Sequence, residues 1–215
     1  MTRPRIGLLG GTFDPIHIGH LALARSALDA FNLDEVRLMP SGQSWQKNAS
    51  AASSEQRLQM VQLAISGQSR LLADGRETRR PGASYTIDTL VELRGELGDQ
   101  TSIVLLLGSD QLRNLASWYR YRELLNYAHI ACTQREQVSL QRLPAEVDQL
   151  LQAHGQDAPD TPAGAIVLFV MPPVPVSATA LRERLAAGER PAELVPAKVL
   201  DYIDSHRLYL PQATH

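Results

Sequence analysis

Short apolar runs alternate with helix-periodic segments along the whole chain, and no other feature limits the fold so strongly. Arg5 to Leu9 is such a run and meets Gly10-Gly11; Gly19 to Phe31 follows, with Leu21, Ala24, Leu28 and Phe31 at helical spacing. Val36 to Met39 is a second run, stopped by Pro40. Glu55 to Ile65 is helical, with Leu58, Val61 and Ile65 on one face, and Leu71 to Ala73 is a weak strand. Ser84 to Leu97 carries Leu90, Leu93 and Leu97 in helical register; Thr101 to Leu107, β-branched and leucine-rich, is the clearest strand. Helices at Gln111–Ala116 and Arg122–Tyr127, a strand at Ile130–Thr133, a helix at Pro144–His154, a strand at Ala165–Met171 and helices at Ala178–Ala187 and Ala197–His206 complete the order. Such alternation predicts a parallel sheet with helices on both faces, an α/β, Rossmann-like doubly wound fold with a C-terminal helical segment.

Two stretches break the pattern. Ser41 to Ser54, rich in Ser, Ala, Gln, Asn and Gly, reads as a mobile loop, and Gly155 to Gly164 as an exposed linker. There is no internal repeat and no convincing boundary before the last two helices, so residues 1–215 read as a single domain. That length buries a core without a disulfide or metal staple.

The formal net charge of −2 excludes a bulk attraction for nucleic acid or an acidic membrane, so neither is an expected partner. Lys47 and Lys198 are the only lysines; Arg supplies the other basic groups, suited to bidentate phosphate contacts or to solvated faces alike. The single cysteine rules out an intrachain disulfide and a multi-thiolate zinc site, and Cys132, in the run Ala128–Cys132, reads as a small buried hydrophobe. No signal-peptide pattern and no 18-residue apolar run occurs, which points to a cytoplasmic protein. Composition leaves a homo-oligomer open.

The strongest chemical signal joins the first strand to the first helix: Gly10-Gly11-Thr12-Phe13-Asp14-Pro15-Ile16-His17-Ile18-Gly19-His20. Open α/β sheets bind ligands at the carboxyl ends of their strands, near the switch point. Glycines let the backbone approach a ligand, and the start of a helix offers N–H groups to an anion. His17 and His20, three apart on a helical first turn, share a face and suit a phosphate chain, as neutral donors or as cations. There is no G-x-x-x-x-G-K-[ST], G-x-G-x-x-G or G-x-S-x-G string to suggest a P-loop, a dinucleotide fingerprint or a nucleophile elbow. The His pair also lacks the H-E-x-x-H spacing, so no metal ligands are assigned among Asp14, His17 and His20.

These residues resemble the adenylyl- and cytidylyltransferase superfamily of nucleotidyltransferases, whose T/H-x-G-H element appears as His17-Ile18-Gly19-His20. The longer string is closer still to the bacterial nicotinate-nucleotide adenylyltransferases. The class I aminoacyl-tRNA synthetases share the short element, but their Lys-Met-Ser-Lys-Ser-like string has no counterpart here. Val176-Ser177-Ala178-Thr179-Ala180-Leu181-Arg182 resembles the family's second element; Ser177 is placed as an N-cap, and Ser177, Thr179 and Arg182 can converge on phosphate oxygens. Gly108-Ser109-Asp110 resembles the G-x-D element, whose Asp lies against the nucleotide; Ser109 or Asp110 can equally cap a helix.

The resemblance implies further roles. Gly10, Gly11, Thr12, Phe13, Gly108, Asp110, Ser177 and Thr179 would bind ATP, and His17, His20 and Arg182 would stabilise the transition state. Thr86 would hold the nicotinate carboxylate, Trp118 would stack on the pyridine ring unless it merely packs on the next helix, and Tyr119, Arg135 and Lys47 would face the mononucleotide. One departure is visible: the family's Pro-His-Lys appears as Trp45-Gln46-Lys47, so the loop keeps its Lys and replaces its His by Gln46. The implied reaction is adenylyl transfer from ATP, carried with Mg²⁺, to nicotinate mononucleotide, releasing pyrophosphate. The alternatives are another transferase of the same fold, acting on phosphopantetheine or an alcohol phosphate, and a non-catalytic nucleotide sensor.

Overall fold

A computed structural model describes residues 3–42, 51–134, 143–157 and 160–210. Six parallel strands form one sheet: β1 (Arg5–Gly11), β2 (Glu35–Pro40), β3 (Leu71–Ala73), β4 (Ser102–Leu107), β5 (His129–Gln134) and β6 (Ile166–Val170), in the order β3-β2-β1-β4-β5-β6. This is the doubly wound order, and the chain's progress across the sheet switches sides between β1 and β4. Leu8 opposite Leu105 sets the register at that switch point. The seven α-helices among the described residues are α1 (Ile18–Ala30), α2 (Ser54–Ala64), α3 (Thr86–Leu97), α4 (Ser109–Arg113), α5 (Ala145–His154), α6 (Ala178–Ala186) and α7 (Ala197–Ser205).

Strand β4, apolar from Ile103 to Leu107, is buried on both faces, as a central strand of a parallel sheet must be. Its period of two divides the core. Val104 and Leu106 join Leu9, Val36 and Leu38 under α1, α2, α6 and α7. Ile103, Leu105 and Leu107 join Leu8, Ile130 and Cys132 under α3, α4 and α5. Cys132 is fully buried, and desolvation pushes its thiol up to about 12, so it behaves as the expected hydrophobe.

Several local expectations shift. The segment after β4 splits into the short α4 and a 3-10 turn at Leu115–Ser117, and Tyr121–Asn126 is also 3-10 rather than α-helical. Val61 and Ile65 of the expected face of α2 are buried, but Leu58 is only half-buried, and Arg57, Met60 and Ala64 are buried beside them. The linker after α5 is exposed in part, yet it is tied down. His129 Nε2 donates to the Thr161 carbonyl at 2.7 Å, Ala165 N–H donates to His129 Nδ1 at 3.1 Å, and Arg94 donates to the Pro162 carbonyl at 3.2 Å. The end of the expected mobile loop is equally fixed: Ala52 is buried, and Ser53 caps α2 through a reciprocal pair with Gln56.

Candidate active site

The turn after β1 is held by buried polar groups, because a tight loop at a strand end leaves carbonyls and N–H groups that the sheet cannot pair. Arg57 reaches up from α2, donating to the Thr12 carbonyl at 2.7 Å and the Ser41 carbonyl at 2.7 Å. Burial depresses its pKa against the pull of nearby Asp14. The Asp14 carboxylate, itself buried, accepts from Ala51 N–H at 2.9 Å, Ala52 N–H at 3.2 Å and the Tyr209 hydroxyl at 2.7 Å. Its carbonyl accepts from Arg182 Nη1 at 2.8 Å. The turn, the start of α2, α6 and the C-terminal segment therefore meet at one residue.

His17 is the N-cap of α1, with extended backbone, and His20 lies one turn on. Their rings stack with centroids 3.7 Å apart. His17 N–H donates to His20 Nδ1 at 3.3 Å, which puts the His20 proton on Nε2 in its neutral form. Phe13, at φ 51°, packs edge-on with His20, the ring centroids 4.9 Å apart. Burial lowers the His17 pKa to about 4, so at neutral pH His17 is a neutral imidazole and not the cation that the spacing alone allows. Its Nδ1 is buried without a partner among the described residues. The first N–H groups of α1 are largely used: Ile18 donates to the Leu194 carbonyl at 2.9 Å and His20 to the His17 carbonyl at 3.0 Å. Among the described residues, the Gly19 N–H has no acceptor.

Two cavities flank the end of β1. The larger, about 300 Å³, runs toward β5 and is walled by His17, Gly19, His20, Gly108, Asp110 and Val176. The smaller, about 130 Å³, runs toward α3 and is walled by Ser84, Tyr85, Thr86, Trp118 and Tyr119, with Glu77 alongside. Gly10, Gly11, Thr12 and Gln111 line both. In the smaller cavity the Tyr85 and Tyr119 rings lie 4.7 Å apart, and Trp118 is half-buried against the core while it faces the cavity. The N–H groups of Thr86 and Ile87, first in α3, and of Tyr119 have no partner among the described residues. This wall offers aromatic faces and amide donors together.

Most of the expected site residues thus gather at the switch point. Phe13 stands behind His20 rather than on the cavity wall. Ser177 and Thr179 are exposed and Arg182 is half-buried beside the larger cavity; none of the three is on its wall, which α6 reaches through Val176. Ser177 takes the N-cap position of α6, but its hydroxyl makes no capping bond. Gly108, rather than Ser109 or Asp110, is the N-cap of α4, which leaves Asp110 exposed on the cavity wall. Lys47, with Gln46, and Arg135 lie outside the described residues. Sequence reasoning misses Arg57, Gln111 and Tyr209. A charged residue at i−4 from Val61, on an otherwise apolar helix face, is the available signal for Arg57.

Residues 8–184 match the family model described as cytidylyltransferase-like. A Chromobacterium violaceum protein named "Probable nicotinate-nucleotide adenylyltransferase" is 45% identical over 208 residues, covering 95% of this chain and 98% of its own. A protein of the same name from Aeromonas hydrophila is 46% identical, covering 98% of this chain and all (100%) of its own. In fold, the chain is similar to the solved Plasmodium falciparum nicotinic acid mononucleotide adenylyltransferase complexed with NaAD, with a TM-score of 0.74 at 17% identity, covering 96% of this chain and 98% of that one. Among the described residues no helix is long and apolar enough to cross a membrane.

Proposed function

The chain belongs to the cytidylyltransferase-like family, in the group of the nicotinate-nucleotide adenylyltransferases, and from that premise we propose how its two cavities divide the reaction. The reaction is transfer of the adenylyl group of ATP to nicotinate mononucleotide, giving nicotinate adenine dinucleotide and pyrophosphate. ATP takes the larger cavity and nicotinate mononucleotide the smaller. The observation that carries this reading is the shared wall. Two pockets of different chemistry meet at Gly10, Gly11, Thr12 and Gln111, so two nucleotides lying in them come together there.

A 5′-phosphate oxygen of the mononucleotide attacks the α-phosphorus of ATP in line. A new P–O bond forms as the bond to the β-phosphate oxygen breaks, and that oxygen keeps the electron pair. No enzyme nucleophile is needed; positioning and charge stabilisation account for the catalysis. His20 Nε2–H, neutral His17 and the Gly19 N–H donate to the phosphate chain, with Arg182 close behind the turn. Gly10, Gly11 and Gly108 let the nucleotide approach the backbone, Asp110 accepts from ribose hydroxyls, and Ser177 and Thr179 serve the triphosphate from the start of α6. The free amides of Thr86 and Tyr119 suit a carboxylate, and Trp118 offers a face to the pyridine ring. Lys47 and Arg135 complete the mononucleotide side.

Carried with the ATP substrate, Mg²⁺ would supply positive charge to its phosphates. The described wall of the larger cavity carries one carboxylate, Asp110, which fits a cation held by phosphates and water rather than by a protein cage. Residues 1–215 act as one domain, in the cytoplasm, with no nucleic acid or membrane partner; a homo-oligomer is compatible with this reading. The test is product formation from Mg-ATP with nicotinate, nicotinamide and pantetheine phosphates offered in parallel. The nicotinate compound is expected to dominate, and His20→Ala to lower kcat far more than it raises the KM for ATP. Dominant use of the pantetheine substrate, or ATP binding with no pyrophosphate release, overturns the reading.

A further inference from the structure

Of the four described residues common to both cavities, two are glycines, so among the described residues Thr12 and Gln111 alone present side chains at the junction. Gln111 stands half-buried on the first turn of α4. Its Oε1 accepts from Gly108 N–H at 3.0 Å. Because Gly108 N–H can only donate, this bond fixes which end of the carboxamide is oxygen. The NH₂ group is left with no partner among the described residues. Gly108 is the first residue after β4, and β4 pairs with β1 at the switch point, so the amide is mounted at the end of a buried central strand.

We propose that Gln111 contacts both nucleotides at once, its amide donating to phosphate oxygens where the attacking 5′-phosphate meets the α-phosphate of ATP. The inference rests on the reading that ATP and nicotinate mononucleotide occupy the larger and smaller cavities. A neutral donor suits that position. A cation there would hold the attacking oxygen's electron pair back, whereas an amide orients the phosphate and leaves it nucleophilic. The short tether to Gly108 fixes the amide before substrate arrives.

The competing role is purely local, with the Gln111 carboxamide capping the Gly108 N–H at the start of α4. Two variants separate the roles. Gln111→Glu keeps an acceptor for Gly108 N–H, and so keeps the cap, but removes the amide donors and adds a negative charge. Gln111→Ala removes cap and donors together. Steady-state product formation is measured for both variants with each substrate varied, alongside thermal unfolding and calorimetric binding of each nucleotide alone. A contact role predicts that Gln111→Ala loses about tenfold or more in kcat and raises the KM of both substrates, and that Gln111→Glu loses about 100-fold with an unchanged Tm. A Gln111→Glu variant with near-normal turnover, or a folded Gln111→Ala variant within twofold of wild type in kcat and both KM values, overturns the proposal. Wild-type protein that makes no dinucleotide while binding ATP normally removes the underlying reading, and the proposal with it.

Discussion

Gly19 and Val176 touch so closely that a Cβ on Gly19 would lie 2.7 Å from Val176 Cγ1. The same Cβ would lie 3.1 Å from His17 Nδ1. The first turn and the segment leading into α6, more than 150 residues apart in the chain, are therefore packed backbone against side chain, and the stacked histidines sit at the contact. Gly19→Ala is expected to cost about 1–3 kcal/mol through overpacking, a fall in Tm of several degrees for a chain of this length. It should also cut kcat/KM about tenfold or more by displacing His17 or the start of α6. The check is the double variant Gly19→Ala with Val176→Ala, which removes the closest of these contacts and should recover part of the lost stability. If the second change restores nothing, the contact is not the cause.

Gly10 behaves in the opposite way. Among the described residues a Cβ there meets nothing within 4 Å, although Gly10 lines both cavities. The fold does not require glycine at this position; the shared substrate space does. Gly10→Ala should therefore fold with a Tm within about 2 °C of wild type, since adding a methyl in open space costs no packing. Product formation should fall about 100-fold or more, because a near-attack geometry tolerates little displacement. An active variant would show that the nucleotides do not approach Gly10.

The arrangement of strands and helices is legible in the sequence because it is local. The buried β4 shows no alternation of apolar and polar residues, yet its run from Ile103 to Leu107, the Gly108 stop and the helical spacing of Leu90 and Leu93 mark the elements plainly. Gly10 to His20 is legible for a related reason: glycines and histidines are concentrated at the edge where α/β sheets bind ligands. What supports that turn is not legible. Asp14 draws donors from Ala51, Ala52 and Tyr209, and Arg57 serves carbonyls of Thr12 and Ser41, all through long-range bonds that leave no period in the sequence. The place of Arg57 on the inward face of α2 is hidden for the same reason. Counting apolar residues favours Leu58, whereas the unpaired carbonyls of the strand ends draw Arg57 inward.

The Tyr209 hydroxyl and the Asp14 carboxylate, 2.7 Å apart, tie the C-terminal segment to the turn after β1. Burial and the neighbouring carboxylate both raise the Tyr209 pKa, so it remains a donor throughout the working pH range. Tyr209→Phe removes one of three donors and should cost about 1.5–3 kcal/mol, read as a lower urea midpoint at unchanged m-value. Asp14→Asn should cost more, because its NH₂ must face a main-chain N–H in a buried site, leaving at least one donor unpaired. Equal stability of the two variants would mean that the Ala51 and Ala52 contacts contribute little.

His17 makes the fold sensitive to mild acid. Its folded pKa, about 4, lies below the ordinary value of 6.5 because the ring is buried. Between these values the unfolded chain takes up a proton that the folded chain refuses, so stability rises with pH across the window. The contribution is complete above about pH 6.5, shrinks as pH falls, and is fully lost below about pH 4, for a total of about 3 kcal/mol. His129, buried and likewise lowered, works in the same direction and remains in a His17 variant. His17→Gln removes only the first contribution. Urea unfolding of wild type and variant at about pH 7.5, 6.0 and 5.0 should show wild type losing stability faster as pH drops. The difference between the two curves should follow a single titration centred in the window. Parallel curves would show that His17 takes up its proton equally well in the folded and unfolded chains, so that burial does not disfavour its charged form.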